Sequence, residues 1–228
     1  MTFSPERVST VTFDSYSTLV DVTPATFEDV LTSVTDDPQP VAELWRRRSL
    51  EYAKTSNYVG GYQPFYDFNR AALEYALEVH EIETTSQQRE EILSVYHDLA
   101  PYDDVRDSVE RLVDAGYDCW IVSNGDPEML ASLLDQAGIE DLVEGTVSAD
   151  EVRIYKPAAG LYRHAAARTG TPIREMCHAT AGWSDVLGAM NAGMQSAWIN
   201  RSDTPWEAFG DEPDVTARNL AAFVDTVL

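Results

Sequence analysis

From residue 103 onward, short apolar runs alternate with amphipathic helical patterns, and that ordering narrows the accessible folds to a parallel sheet covered by helices on both faces. Parallel neighbours need a crossover of a dozen or more residues, which a helix supplies. The runs at 118–122, 145–147, 177–179 and 196–199 read as strands, and an earlier run at 9–13 as the first of the set. The helices between them carry start and stop signals. Asp126 and Pro127 read as cap and first helical residue, Leu130, Leu133 and Leu134 as the buried stripe, and Gly138 as the terminator. Val105, Val109 and Leu112 lead likewise to Gly116, and Val186, Leu187 and Met190 to Gly193.

The stretch 23–100 interrupts this order with three helical patterns, at 44–52, 65–77 and 92–99, and no convincing strand. Apolar residues there recur at spacings of three and four, so the economical reading is a small helical bundle inserted after the first strand.

The composition bears on partners. Thirty-nine acidic residues against 16 basic ones give a formal net charge of -23. Such a surface repels the phosphates of nucleic acid and the anionic face of a membrane, so neither is expected as a partner. Only Lys54 and Lys156 are lysines, the other fourteen basic residues being arginine, which makes each lysine informative. An acid-rich, lysine-poor surface suits concentrated salt, where the Debye length falls to about 3 Å at 1 M, and a halophilic origin is the expectation set against that of an ordinary acidic protein. Cys119 and Cys177 lie far apart without ligand-like spacing, which suggests neither a disulfide framework nor a zinc site. No basic-then-apolar start and no window of 18 apolar residues is present, so a soluble cytoplasmic protein is expected.

The chemistry gathers at the strand ends. The first strand runs into Phe13-Asp14-Ser15-Tyr16, which places a carboxylate at the carboxyl edge where ligands collect in open α/β sheets. There it can act as a nucleophile that splits one hard displacement into two easier steps, or simply cap the turn. Three further polar runs follow later strands: Ser123-Asn124-Gly125, Tyr155-Lys156-Pro157 and Gly182-Trp183-Ser184-Asp185. All four converge on one rim of the sheet.

In this order and spacing the runs resemble the haloacid dehalogenase superfamily of hydrolases, over nearly the whole chain. The resemblance implies an α/β fold: a Rossmann-like parallel-sheet core of five to six strands at 1–22 and 101–228, with 23–100 as an inserted helical cap. Phosphatase members carry a second Asp two residues after the nucleophile, where this chain has Tyr16, a phenol with an ordinary pKa near 10. Their further acidic magnesium ligand falls on Ala181 or Thr180 here, so the resemblance implies no metal and no cofactor.

Phe13-Asp14-Ser15-Tyr16 and Trp45-Arg46-Arg47-Arg48-Ser49-Leu50-Glu51-Tyr52 are similar to the type II (S)-2-haloacid dehalogenases. That likeness implies Asp14 as nucleophile, Arg46 and Asn124 as the cradle of the departing halide ion, and Ser123 and Lys156 as holders of the substrate carboxylate that also keep Asp14 ionised. It assigns Thr180 and Asp185 to the hydrolytic water, and Ser15 and Tyr16 to substrate binding. Leu50 and Phe65 become pocket walls, Arg47 a polar pocket position, and Tyr162 the residue that orients Lys156. Arg47 and Arg48 project about 100° and 200° from Arg46 around a helix, and Arg48 reads as part of a solvated face. The chain departs from the subgroup at its fourth motif, where Gly182 replaces an asparagine and Ser184 a tryptophan; Trp183, offset by one, is expected to refill part of the wall.

The expected reaction is hydrolysis of a short (S)-2-haloalkanoate to an (R)-2-hydroxy acid through an aspartyl ester, by a protein whose relatives are often homodimers. Two alternatives stand beside it: a magnesium-dependent phosphatase of the same superfamily, and a catalytically idle homologue that binds a small anion.

Overall fold

The computed structural model describes residues 3–228. Its centre is a parallel sheet of six strands in the order β3-β2-β1-β4-β5-β6, with β1 Thr10–Phe13, β2 Asp118–Ser123, β3 Gly145–Ser148, β4 Met176–Thr180, β5 Gln195–Ile199 and β6 Val215–Ala217. Strand β1 is buried along its whole length, with β2 in parallel register on one side and β4 on the other. Strands buried on both faces read as unbroken apolar runs, which is why five of the six were legible. The sixth has three residues at the sheet edge after a polar loop, and sequence signals do not mark it.

The crossovers are α5 Val105–Asp114, α6 Pro127–Ala137, α7 Ala159–Thr169 and α8 Trp183–Ala192, and α9 Leu220–Val227 closes the chain. Connections through α5 and α6 step outward from β1 to β3, whereas α7 returns to β4 and α8 steps on to β5. Right-handed crossovers in opposite directions put these pairs on opposite faces. The direction reverses between β1 and β4, and a crevice opens at their carboxyl ends.

Four helices stand between β1 and α5: α1 Pro24–Leu31, α2 Pro38–Val59, α3 Phe65–Val79 and α4 Ser86–Leu93. Two of them match the patterns read at 44–52 and 65–77. The third expectation is corrected, because α4 ends at Leu93 and residues Ser94–His97 form a 3-10 turn. Ile92, Leu93, Val95, Tyr96 and Leu99 are all buried, and that spacing suits a tight turn as well as a helix. Helix α2 packs along α3, and the Trp45 indole donates to the Asn69 carbonyl at 2.8 Å. The two connections to the sheet run side by side: Val20 bridges Pro101 antiparallel, and the Asp21 amide donates to the Ala100 carbonyl at 2.8 Å. Among the described residues no helix is long and apolar enough to cross a membrane.

Candidate active site

Asp14 follows β1 directly, and its amide donates to the Ala179 carbonyl at 3.0 Å, extending the β1–β4 ladder to the switch point. Both of its carboxylate oxygens are held. Oδ1 accepts from Lys156 Nζ at 2.6 Å and Oδ2 from the Thr18 hydroxyl at 2.8 Å. Thr18 Oγ1 in turn accepts from the Ala181 amide at 2.9 Å, which ties the loop after β1 to the loop after β4. Arg201 fastens the same loop, donating to the Thr18 carbonyl at 3.0 Å while pairing with Asp104 at 3.0 Å.

Lys156 is buried, and its ammonium has three acceptors: Asp14 Oδ1, the Val122 carbonyl at 2.8 Å and Asp185 Oδ2 at 2.8 Å. Three donors meet three acceptors, so the group is saturated. Burial lowers the pKa of Lys156, but the Asp14 and Asp185 charges outweigh it and leave the amine above its ordinary value. Asp185 is the opposite case. Burial pushes its carboxyl up, yet the Lys156 and His178 charges and their hydrogen bonds hold it well below the usual carboxylate range. Its Oδ1 also accepts from the Tyr162 hydroxyl, whose own pKa burial and the Asp185 charge raise well above 10. His178 Nε2 lies 3.0 Å from Asp185 Oδ2, and a carboxylate only accepts, so that nitrogen carries the proton. Its Nδ1 lies 2.8 Å from the Thr12 hydroxyl.

Above Asp14 lies a cavity of about 210 Å³. From the sheet side it is lined by Asp14, Tyr16, Ser17, Asn124, Lys156, Pro157, Thr180, Gly182, Ser184 and Asp185, and from the helices by Arg46, Leu50, Lys54 and Phe65. The Arg46 guanidinium sits 4.9 Å from the centroid of the Phe27 ring. Asn124 Oδ1 accepts from the Lys156 amide at 2.8 Å, which leaves its amide nitrogen as the donor for a ligand.

A family model for haloacid dehalogenase-like hydrolases matches residues 8–193. The chain belongs to that family. Among its relatives, (S)-2-haloacid dehalogenase 4A of Burkholderia cepacia is 33% identical over 195 residues, covering 86% of this chain and 84% of the relative. (S)-2-haloacid dehalogenase 1 of Pseudomonas sp. strain CBS-3 is 32% identical, covering 86% of each. The structure of L-2-haloacid dehalogenase from Xanthobacter autotrophicus with chloropropionic acid covalently bound superposes with a TM-score of 0.88 at 25% identity, over 96% of this chain and 98% of that one.

In this haloacid dehalogenase-like hydrolase, Asp14, Tyr16, Arg46, Leu50, Phe65, Asn124, Lys156, Thr180 and Asp185 meet at one cavity. Six expectations are corrected. Ser123 is fully buried, its hydroxyl engaged with Ser15 Oγ at 2.6 Å and the Gly125 amide at 2.9 Å, so neither Ser123 nor Ser15 faces a ligand. Arg47 is exposed and outside the cavity lining. Trp183 does not refill the wall; it is 38% exposed and packs edge-on against Phe209 with centroids 6.4 Å apart, while Ser184 faces the cavity. Tyr162 bonds Asp185 rather than Lys156. Lys156 itself has no donor left for a substrate carboxylate.

Thr18, His178 and Lys54 were missed. His178 stands inside an apolar run and reads as strand core, and only its place two residues before Thr180 hinted at the site. Gly188 is a less visible requirement. A Cβ there would lie 2.6 Å from both the Pro157 carbonyl and the Tyr162 hydroxyl, so Gly188→Ala forces Tyr162 off Asp185. Overpacking of this kind costs about 1–3 kcal/mol. We expect a lowered melting temperature by calorimetry together with reduced turnover, and an unchanged melting temperature would show that the contact yields freely.

Proposed function

We propose that this chain hydrolyses the carbon–halogen bond of short (S)-2-haloalkanoates, giving (R)-2-hydroxy acids through an ester on Asp14. The observation that carries the reading is the Asp14 carboxylate fixed by Lys156 Nζ at 2.6 Å beneath a cavity that also presents Arg46. That ammonium and the Thr18 hydroxyl fix both oxygens of the carboxylate in place. The family and its (S)-2-haloacid dehalogenase relatives support the same reaction class.

Asp14 attacks C2 opposite the halogen, the new C–O bond forms as the C–halogen bond breaks, and the halide leaves with the electron pair toward Arg46 and the Asn124 amide nitrogen. Donors already in place act where charge develops. Water positioned by Thr180 and Asp185 then attacks Cγ of the ester. One Asp14 oxygen is esterified, and the other keeps a donor, Lys156 or Thr18, for the oxyanion that forms. Cleavage of the Cγ–O bond leaves C2 with an oxygen that came from Asp14, which takes one proton of the attacking water to become the hydroxyl, while the other proton passes to solvent and the water oxygen stays in the carboxylate. On this reading 23–100 is a cap that brings Arg46, Leu50 and Phe65 over the nucleophile, in a soluble cytoplasmic, salt-adapted homodimer.

Tyr16 weighs against the phosphatase alternative. Burial, then the nearby Asp126 and Tyr96, push its phenol well above 10, and its hydroxyl has no hydrogen-bond partner among the described residues. A phenol so held is a poor proton donor to a leaving group. Chloride release from (S)- and (R)-2-chloropropionate, with and without EDTA and at low and high KCl, tests the proposal. Release from the (S) form alone, indifferent to EDTA, is expected. Turnover of a phosphate ester that EDTA abolishes, or binding of the acid without chloride release, would overturn it.

A further inference from the structure

Residues 46, 50 and 54 follow one another at intervals of four along α2, so their side chains stack on one helix face at steps of about 6 Å. All three line the cavity over Asp14. The only two lysines of a chain with 39 acidic residues, Lys54 and Lys156, therefore meet at one site.

Their situations differ. Lys156 is saturated by Asp14, Val122 and Asp185. Lys54 makes no ion pair with any described residue, although arginines on the same helical insertion do: Arg48 with Glu51, Arg70 with Asp67 and Glu90, Arg89 with Glu74. Even Glu51, three residues before it on α2, turns to Arg48 at 2.8 Å. The ionisable lining comprises Asp14 and Asp185 against Arg46, Lys54 and Lys156, two negative and three positive charges, which is +1 in a chain of -23. Arg46 alone offers a cation to the single carboxylate or the halide of a 2-haloalkanoate. Lys54 stands beyond it, past Leu50, with a flexible four-carbon stem and a point charge suited to a further carboxylate.

We infer that Lys54 determines specificity by receiving a second carboxylate, so that the enzyme favours (S)-2-haloalkanedioic acids over monoacids of equal chain length. This inference rests on the dehalogenase reading above. Arg46 and Asn124 serve the reacting end, Leu50 and Phe65 flank the carbon chain, and Lys54 holds the far end.

The test compares kcat/KM by chloride release for (S)-2-chlorosuccinate against (S)-2-chlorobutyrate, and (S)-2-chloroglutarate against (S)-2-chlorovalerate. The parent enzyme is expected to prefer the diacid in at least one pair. Lys54→Met lowers that diacid-to-monoacid ratio about tenfold, chiefly through KM, and Lys54→Arg keeps it within about threefold of the parent. Monoacid turnover without diacid preference, or an equal loss on both members of a pair in Lys54→Met, overturns the role of Lys54 and leaves the dehalogenase reading intact. Absence of chloride release from every acid removes the dehalogenase reading, and the inference with it.

Discussion

Asp14→Asn protein is expected to release halide at least about 10⁴-fold more slowly than the parent, the scale seen when a covalent nucleophile is removed. The carboxamide nitrogen is no nucleophile and its oxygen is a weak one, so the displacement at C2 has no attacking group. The amide keeps the shape of the carboxylate but not its hydrogen bonds. Its oxygen can serve Lys156, which places the NH₂ against Thr18 Oγ1, a group that now donates to Asp14 and already accepts from the Ala181 amide. The Thr18 proton then loses its acceptor, and a modest drop in melting temperature should accompany the loss of activity. Isotope placement separates the covalent route from direct attack of water. With enzyme in excess and a single turnover in oxygen-18 water, the product hydroxyl should be unlabelled, because its oxygen came from Asp14. Over many turnovers the label should enter the Asp14 carboxylate, seen as a mass shift in its peptide. Label in the first-turnover product would sink the aspartyl ester.

The sheet was legible because its strands are buried on both faces and so stand out as apolar runs between capped helices, and the nucleophile was legible because a carboxylate at a strand end has few structural uses. The rotational placement of side chains was harder to read, and the corrections arise there. Trp183 and Asp185 are two residues apart at the start of α8, about 200° around the helix, so an Asp185 that points inward sends Trp183 outward. The same geometry, applied to 46, 50 and 54, would have placed Lys54 beside Arg46. Ser123 ends β2 with its hydroxyl turned to Ser15, and only a three-dimensional neighbour decides that choice. Thr18 acts through a contact across the β1–β4 crevice that no sequence interval encodes, and His178 through one from β4 to the start of α8 that the apolar strand pattern conceals. Strand β6 has three residues and helix α1 eight, too few for a periodic pattern to stand out.

Lys156→Met should lose about 3–5 kcal/mol of stability at pH 8 as well as its activity, the magnitude expected when one partner leaves a buried ion pair. Methionine fills most of the lysine volume, so the loss is mainly electrostatic. In the parent, the Asp185 carboxyl is held below its unfolded value near 3.9, so its contribution is present above that value and is lost as pH falls through the folded one. Lys156 is raised above its unfolded value near 10.4, so its contribution is full below that value and is lost as pH rises through the folded one. Between about pH 5 and 9 the parent should therefore show no change in stability from this cluster. Without the lysine, Asp14 and Asp185 face each other as like charges in a buried site, and burial moves the Asp185 carboxyl upward with only His178 and Tyr162 to oppose it. The unfolded chain then binds fewer protons than the folded variant above about pH 4, and the variant weakens as pH rises. The deficit relative to the parent should be full at pH 8 and clearly smaller near pH 4.5, read from urea unfolding at fixed ionic strength. An equal deficit at both pH values would assign the role of Lys156 to packing instead of to its charge between Asp14 and Asp185.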